Sequence, residues 1–199
     1  MSSDLKTAIG SSLADAQRTL EVFIQDEKNL EPIQRMAEGM ADCFKRGGKI
    51  LICGNGGSAC DSLHFAEECT GRFQKDRAAL PVIPLVESGF LTCVSNDYGF
   101  EHVFSRGVEA YGKPGDILIA ISTSGNSPNI IRAVEAARKG DVGVYLFIGK
   151  DGGKLHDQGD EEIWVRASST ERIQEVHMMV LHILVEGIER ILFPQNYGG

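Results

Sequence analysis

The chain has 199 residues, of which 42% are hydrophobic and 24% are charged, so it can bury a sizeable core and is not of the disordered class. Its 28 acidic and 20 basic residues give a net charge of −8, which opposes binding to nucleic-acid phosphates or anionic membranes. No apolar run approaches the ~20 residues of a spanning helix, the first residues do not resemble a signal peptide, and the five cysteines show no CxxC spacing. We therefore expect a cytoplasmic globular protein with reduced thiols and no nucleic-acid or membrane partner.

Residues 1–46 carry a helical pattern. Apolar residues recur there at steps of three and four, for example at Leu5, Ile9 and Leu13, which predicts two helices. The pattern breaks over residues 26–31, where we predict a short turn, and Gly47-Gly48 ends the second helix. We expect these helices to pack on the rest of the domain and within an oligomer.

Residues 47–199 alternate between short apolar runs and helical patterns. Short apolar runs at 49–53, 81–85, 116–122, 142–148 and, more weakly, 162–165 predict strands. Helical patterns at 58–73, 89–94 with 100–111, and 127–139 lie between them, and 170–193 forms a long closing helix. Continuous apolar strands alternating with helices indicate a parallel sheet covered on both faces. The predicted fold is an α/β three-layer sandwich, in a single domain spanning 1–199.

The first predicted strand leads through the glycine loop Gly54-Asn-Gly-Gly-Ser58 directly into a helix. Such a loop lets backbone N–H groups and a helix N-terminus approach an anion, although a plain tight turn is the alternative. The segment from Gly54 to Ala59 also matches the dinucleotide fingerprint GxGxxG/A. However, the acidic residue after the second strand, Glu87, lies well beyond the expected ~20 residues.

A second loop, Ser122-Thr-Ser-Gly-Asn-Ser-Pro128, also joins a strand to a helix. It offers four hydroxyls, and its proline suits the first turn of a helix. An ordinary Ser/Thr capping turn explains one or two hydroxyls but not four. A hydroxyl-lined loop beside a helix N-terminus suits a phosphate monoester, so the two loops together favour a sugar phosphate over a dinucleotide.

Two helices carry groups that can act in catalysis or bind a metal. His64 and Glu68 lie four residues apart and share a helix face, while Gln174 and His182 lie about 80° apart around the axis of the closing helix. If the two faces meet, two imidazoles, a carboxylate and an amide converge. That set can hold zinc, and it can supply a general acid and base.

Periodicity leaves several choices open. Glu67 and His177 fit the same helical spacings, and a histidine on a helix is more often a packing residue than a ligand. The pair Asn96-Asp97 ends an apolar helix, so a turn and a ligand contact explain it equally well.

These motifs, in this order, resemble the bacterial phosphoheptose isomerase family over essentially the whole chain. Besides the two loops, the resemblance rests on His64-Phe-Ala-Glu-Glu68, Gly71-Arg72, Asn96-Asp-Tyr-Gly-Phe100, Phe104-Ser-Arg106, Gly115-Asp116, Gly149-Lys-Asp-Gly-Gly153 and Arg172-Ile-Gln-Glu-Val-His177. The resemblance implies the sugar isomerase (SIS) fold, a flavodoxin-like five-stranded parallel sheet flanked by helices and assembled as a homotetramer. It implies isomerisation of D-sedoheptulose 7-phosphate to D-glycero-D-manno-heptose 7-phosphate through an enediol, the first step towards the ADP-heptose of lipopolysaccharide core.

The family's functional residues carry over by position. One zinc ion per subunit is implied, with His64, Glu68, Gln174 and His182 as ligands, and Glu68 and His182 match the acid/base pair. On family grounds alone these residues are preferred to Glu67 and His177. The implied substrate contacts are Asn55, Gly56, Gly57, Ser58, Glu68, Asn96, Asp97, Ser122, Thr123, Ser124, Ser127 and Gln174.

The sequence departs from the family in one segment. Glu87-Ser-Gly89 stands where many members read Asp-Thr-Ser or Asp-Ser-Ser, and Ser95 replaces a usual glycine. Both departures precede Asn96-Asp97, so substrate placement there is less tightly implied.

Three alternative functions remain. A non-catalytic SIS-fold tetramer that binds the replication initiator DnaA has a tail resembling Leu192-Phe-Pro194, but it lacks the acidic residue and the histidine found here at 68 and 182. A sugar-phosphate sensor that regulates transcription would normally add a DNA-binding module, which this length and charge do not predict. An isomerase for another phosphosugar remains an alternative, because the two loops do not determine how many carbons the sugar has.

Overall fold

A computed structural model describes residues 2–198 and contains the predicted alternation of helices and strands. The helices are α1 (Ser2–Gln25), α2 (Leu30–Lys45), α3 (Gly57–Thr70), α4 (Ser88–Tyr98), α5 (Val103–Tyr111), α6 (Pro128–Lys139) and α7 (Thr170–Leu192). The strands are β1 (Ile50–Gly54), β2 (Val82–Pro84), β3 (Ile117–Ser122), β4 (Gly143–Gly149) and β5 (Glu161–Val165). Single 3-10 turns occupy Glu27–Asn29, Phe100–His102, Gly153–Leu155 and Pro194–Tyr197.

The five strands form one parallel sheet in the order β2-β1-β3-β4-β5, which confirms the predicted flavodoxin-like α/β fold. Every residue of the central strands β1 and β3 is buried, as expected for a parallel sheet covered on both faces. The strand order places β2 and β3 on either side of β1. Ligands of such sheets bind beyond the carboxyl ends of the strands at the point where the order reverses.

Helices cover the two faces of the sheet and give three layers. Alternate residues of β1 point in opposite directions: Ile50 and Ile52 belong to the core under α2, α3 and α7, whereas Leu51 and Cys53 belong to the core under α4, α5 and α6. The short edge strand β2 pairs with β1 through only three residue pairs. The two cores together therefore hold the central strands and the helices that follow them.

The two N-terminal helices differ in how they pack. The apolar side of α2 is buried in the first core, with Met36 and Met40 fully buried. By contrast α1 leaves Leu5, Ile9 and Leu13 between 53% and 68% exposed. Within residues 2–198, no helix combines the length and the apolar character that a membrane crossing requires.

Candidate active site

The two loops singled out in the sequence are neighbours in the structure. Gly54 at the end of β1 pairs with Ile121 near the end of β3, so the segments that follow these strands emerge side by side. The side-chain amides of Asn55 and Asn129 then join them through two reciprocal hydrogen bonds of 2.9 and 2.8 Å. Sequence reasoning missed Asn129. The sequence feature that could have identified it is an amide side chain at the start of a helix whose other inward positions are apolar.

The second loop is a compact turn with its hydroxyls close together. The hydroxyl of Ser122 donates to that of Ser127 at 3.2 Å, and the backbone N–H of Asn126 donates to the Ser124 hydroxyl at 3.2 Å. Thr123 is half-buried beside them. Ser127 occupies the N-cap position of α6, yet no hydrogen bond from its side chain caps the helix in the described structure. A simple capping turn therefore does not account for the loop.

Gly125 makes this turn possible. Its φ is +62°, and a Cβ there would lie 1.8 Å from the carbonyl oxygen of Gly152. The amide of Leu155 donates to the Gly125 carbonyl at 3.1 Å. The turn after β4 thus packs directly against the hydroxyl loop and holds its shape.

The first loop lies against the closing helix. Gly56 has a φ of +56°, and a Cβ on Gly57 would lie 2.6 Å from the amide of Gln174. The Gln174 amide donates to the hydroxyl of the buried Ser58 at 3.3 Å. The absence of a side chain at Gly57 therefore allows Gln174 of α7 to reach the N-terminus of α3.

Further along the same helix pair, three candidate residues converge. The Nε2 atom of His64 lies 3.4 Å from Nε2 of His182 and 3.5 Å from Oε1 of Glu68. One potential ligand atom from each residue falls within 4.8 Å of the others. The ring of Phe73 stacks on His182 with a centroid distance of 5.9 Å and so forms one wall of the cluster.

The alternatives that helical spacing left open are separated by their environments. The Glu67 carboxylate is 3.9 Å from His64 and its side chain is 69% exposed, whereas the Glu68 side chain is 18% exposed. His177 faces the opposite way, into the core, with Nε2 at 3.0 Å from the Ile148 carbonyl. Burial lowers the pKa of His177 to about 4, against the opposing effect of this hydrogen bond. His177 is therefore a neutral core residue.

The spacing of the cluster fits a tetrahedral metal ion. Ligands at zinc distances of about 2.0–2.1 Å lie about 3.4 Å from one another at tetrahedral angles. The observed 3.4 Å between the histidine nitrogens and 3.5 Å to the Glu68 oxygen match that value. A second group, His156, Asp157 and Glu162, fits less well, because His156 and Glu162 are in direct hydrogen-bonding contact at 2.8 Å.

A buried carboxylate lies one turn before His64 on α3. One side-chain oxygen of Asp61 is buried without a hydrogen-bond partner among the described residues. Burial raises the pKa of Asp61 to about 6, and the charge of His64 acts in the opposite direction. The carboxyl therefore titrates nearer neutrality than an exposed aspartate. No pattern in the sequence distinguished this residue.

The remaining predicted contacts lie on α4. Asn96 and Asp97 occupy its exposed last turn and bond to each other at 2.8 Å, and no hydrogen bond among residues 2–198 links them to the histidine cluster. The departure at Glu87 has a structural explanation. Its carboxylate caps α4 by accepting from the amides of Gly89 and Phe90, which lowers the pKa of Glu87 below its ordinary value.

A cleft opens beside the two loops. It has a volume of about 580 Å³ and is lined by Asn55, Phe100, Glu101, Ser127, Pro128, Asn129 and Arg132. Asn55, Ser127 and Asn129 belong to the joined loops described above, and Arg132 adds a cation that sequence reasoning did not single out. An anionic ligand with several hydroxyls would find matching partners there.

Fold and site together define a sugar-phosphate isomerase of the SIS class, and residues 13–149 match the SIS domain family. A phosphoheptose isomerase from Fusobacterium nucleatum is 53% identical over 178 residues, which are 89% of this chain and 92% of that protein. The solved phosphoheptose isomerase of Neisseria gonorrhoeae is 40% identical with a TM-score of 0.86, covering 93% of this chain and 98% of that one. That of Francisella tularensis is 33% identical with a TM-score of 0.89, covering 96% and 99%. The chain belongs to the phosphoheptose isomerase family.

Proposed function

We propose that this enzyme converts D-sedoheptulose 7-phosphate into D-glycero-D-manno-heptose 7-phosphate through an enediol. The observation that carries the proposal is the convergence of Glu68, His64 and His182 between α3 and α7, with α3 beginning at the glycine loop that is joined to the hydroxyl-lined loop. Titratable groups and a phosphate-sized polar loop are what an aldose–ketose interchange of a phosphorylated sugar requires. Membership of the phosphoheptose isomerase family supports the heptose as the sugar.

The phosphate end of the substrate would bind at the loop between β3 and α6. The hydroxyls of Ser122, Thr123, Ser124 and Ser127 donate hydrogen bonds, and the N-terminus of α6 favours negative charge. No lysine or arginine is required in the loop itself. Substrate contacts at Asn55, Gly56, Gly57, Ser58, Asn96, Asp97 and Gln174 complete the proposed binding set.

The reaction moves two protons and gains none overall. The Glu68 carboxylate takes the proton from C1 while His182 donates one to the C2 carbonyl oxygen, which produces the enediol. Glu68 then returns its proton to C2, and His182 recovers one from the C1 hydroxyl as the aldehyde forms. A ligand atom of Glu68 and one of His182 lie within 4.8 Å of each other, so both groups can reach neighbouring atoms of one substrate.

We also propose a zinc ion in each subunit, held by His64, Glu68, Gln174 and His182. The supporting observation is the tetrahedral spacing of the donor atoms of His64, Glu68 and His182. A bound zinc ion would stabilise negative charge on the substrate oxygens. Gln174 bonds to Ser58 at the other end of the same helix interface, so its amide would have to leave Ser58 and turn towards the cluster to complete the donor set.

Assembly and cellular context belong to the same proposal. The exposed apolar residues of α1 (Leu5, Ile9 and Leu13) and of α7 (Met179 and Ile183) support a homotetramer, because such surfaces are normally covered. Family membership supports a cytoplasmic enzyme that catalyses the first step towards ADP-heptose for lipopolysaccharide core.

The test is an isomerase assay on purified protein with sedoheptulose 7-phosphate, with fructose 6-phosphate as the comparison ketose. We expect heptose aldose to form, activity to fall on chelation and to return with zinc. Glu68→Gln should abolish turnover. Glu67→Gln, the same change at the exposed neighbouring position, should leave turnover unchanged. Turnover of fructose 6-phosphate alone would assign a different sugar. No product from a folded sample would overturn the catalytic proposal and favour the protein-binding alternative.

A further inference from the structure

A fully buried ion pair joins the two helices that carry the site. Arg77, in the segment after α3, donates from Nε to Oε1 of Glu189 on α7 at 2.8 Å, and both side chains are 0% exposed. Burying two charges costs several kcal/mol unless each is fully hydrogen-bonded, so such a pair needs further partners.

Arg77 finds its other partners at the end of α3. Its guanidinium donates to the backbone carbonyls of Glu68 and Cys69, each at 2.7 Å, and to that of Gly71 at 3.0 Å. These carbonyls lie in the last turn of α3 or just beyond it, where helical partners are missing and a cation is favoured. The arginine therefore holds the backbone of Glu68, whose side chain belongs to the candidate cluster.

Glu189 finds its second partner at the C-terminus. The Tyr197 hydroxyl donates to Oε2 of Glu189 at 2.7 Å, and burial together with this bond raises the pKa of Tyr197 to about 12. The guanidinium of Arg190 lies 4.5 Å from the centre of the tyrosine ring. These contacts fix the turn Pro194–Tyr197 to α7 at Glu189, which lies seven residues after His182.

We propose that Arg77, Glu189 and Tyr197 form a positioning unit that sets the distance between Glu68 on α3 and His182 on α7. The unit bonds to the Glu68 carbonyl at one end and to α7 two turns beyond His182 at the other. A change in the unit therefore displaces the α3 face that carries Glu68 relative to the α7 face that carries His182. Apolar residues could fill the same space with similar stability, but they could not hold the carbonyl of Glu68. This inference rests on the proposed function of the cluster as a metal and proton-transfer site.

The test uses Tyr197→Phe in the full chain, which removes one hydroxyl and keeps the ring under Arg190. Zinc affinity is measured by competition with a chelating dye, and kcat and KM are measured separately. Partners behind metal ligands typically change affinity 10–100-fold, so we expect zinc to bind about tenfold more weakly. We also expect kcat to fall while KM changes by less than about twofold, because the phosphate loop is untouched.

Two control variants separate positioning from general stability. Tyr111→Phe removes an exposed tyrosine hydroxyl at the end of α5 and should match the wild type. Val108→Ala weakens the core on the opposite face of the sheet and should lower the melting temperature without changing zinc affinity. Glu189→Gln, which removes the charge but keeps the shape, should weaken zinc binding at least as much as Tyr197→Phe.

The outcomes are distinct. Wild-type zinc affinity and kcat in Tyr197→Phe would overturn the positioning role, as would an equal loss of zinc affinity in Val108→Ala. A wild-type protein that binds zinc but isomerises no sugar phosphate would overturn the proposed reaction, while the affinity comparison still decides the positioning role. A wild-type protein without either property would overturn both.

Discussion

The buried histidine of α7 makes the stability of this protein sensitive to acid. His177 is fully buried, and its Nε2 lies 3.0 Å from the Ile148 carbonyl, so Nε2 carries the proton of the neutral ring. Its Nδ1 is buried and has no hydrogen-bond partner among the described residues. Protonation would therefore place a charge on an unsolvated nitrogen, which is why burial depresses the pKa of this side chain to about 4 from 6.5.

The direction and the size of the effect of pH on stability follow from the pKa shift of His177. The unfolded chain binds the proton below pH 6.5 while the folded chain resists it until about pH 4, so stability falls as the pH drops through this window. At 1.36 kcal/mol per pKa unit, the loss contributed by His177 reaches about 3 kcal/mol at pH 4. Above pH 6.5 the contribution is constant.

The assay is chemical denaturation of wild type and His177→Gln at several values of pH between 7.5 and 4. Glutamine can donate to the same carbonyl but does not titrate, so its curve should lack the His177 contribution. Contributions of groups other than residue 177 are common to both proteins and cancel in the difference. His102→Gln, which makes the same substitution at a partly exposed histidine on another element, is the control for the substitution itself. Equal acid sensitivity in wild type and His177→Gln would show that the buried imidazole does not contribute to the loss of stability in acid.

Three further predictions concern the site and its loops. His182→Gln should lower kcat by about 10²–10⁴-fold with the fold retained, because a general acid/base group is lost; circular dichroism and the isomerase assay check this. Ser124→Ala should raise KM about tenfold with kcat nearly unchanged, since one hydrogen bond to a charged phosphate is removed. Gly125→Ala should destabilise the protein by more than about 2 kcal/mol in urea denaturation, because positive φ and the Gly152 carbonyl both oppose a Cβ.

Matched variants sharpen these three tests. Gly47 also has a positive φ, of +78°, but nothing lies within 4 Å of a Cβ added there, so Gly47→Ala should show only the conformational cost of about 1 kcal/mol. An equal cost at the two glycines would contradict the packing argument. A wild-type KM in Ser124→Ala would contradict the assignment of the loop as the phosphate site. Full turnover in His182→Gln would contradict the acid/base role of His182.

The layers and the strands could be predicted from local patterns. The β1 and β3 segments are continuous apolar runs because both faces of a parallel sheet are covered, and α6 begins at Pro128 and ends before Gly140, as its terminal residues indicate. Boundaries were less exact. The helix predicted to reach Phe73 ends at Thr70, where the Arg77 guanidinium and the Leu80 amide, rather than further helical amides, bond to the last carbonyls.

The chemical residue types could also be predicted, but their partners could not. Asn129 and Arg77 have ordinary sequence surroundings, and their roles depend on contacts 74 and 112 residues away along the chain. Long-range pairs of this kind follow from strand order and helix packing, which no local period encodes. The Lys150–Gly153 turn likewise gains its importance only from packing against Gly125.

The sequence by itself determined which segments form strands and helices, where the glycine and hydroxyl loops lie, and that imidazole and carboxylate groups accompany them. The helical period left His182 and His177, and likewise Glu68 and Glu67, equally possible. The family resemblance preferred His182 and Glu68, and the tertiary structure shows how the environments of the members of each pair differ. A helix with 3.6 residues per turn places neighbours at similar angles, so its period does not say which angle faces a partner. The packing of α7 on the sheet, beside α3, decides which angle faces which partner: it directs His177 towards β4 and His182 towards His64.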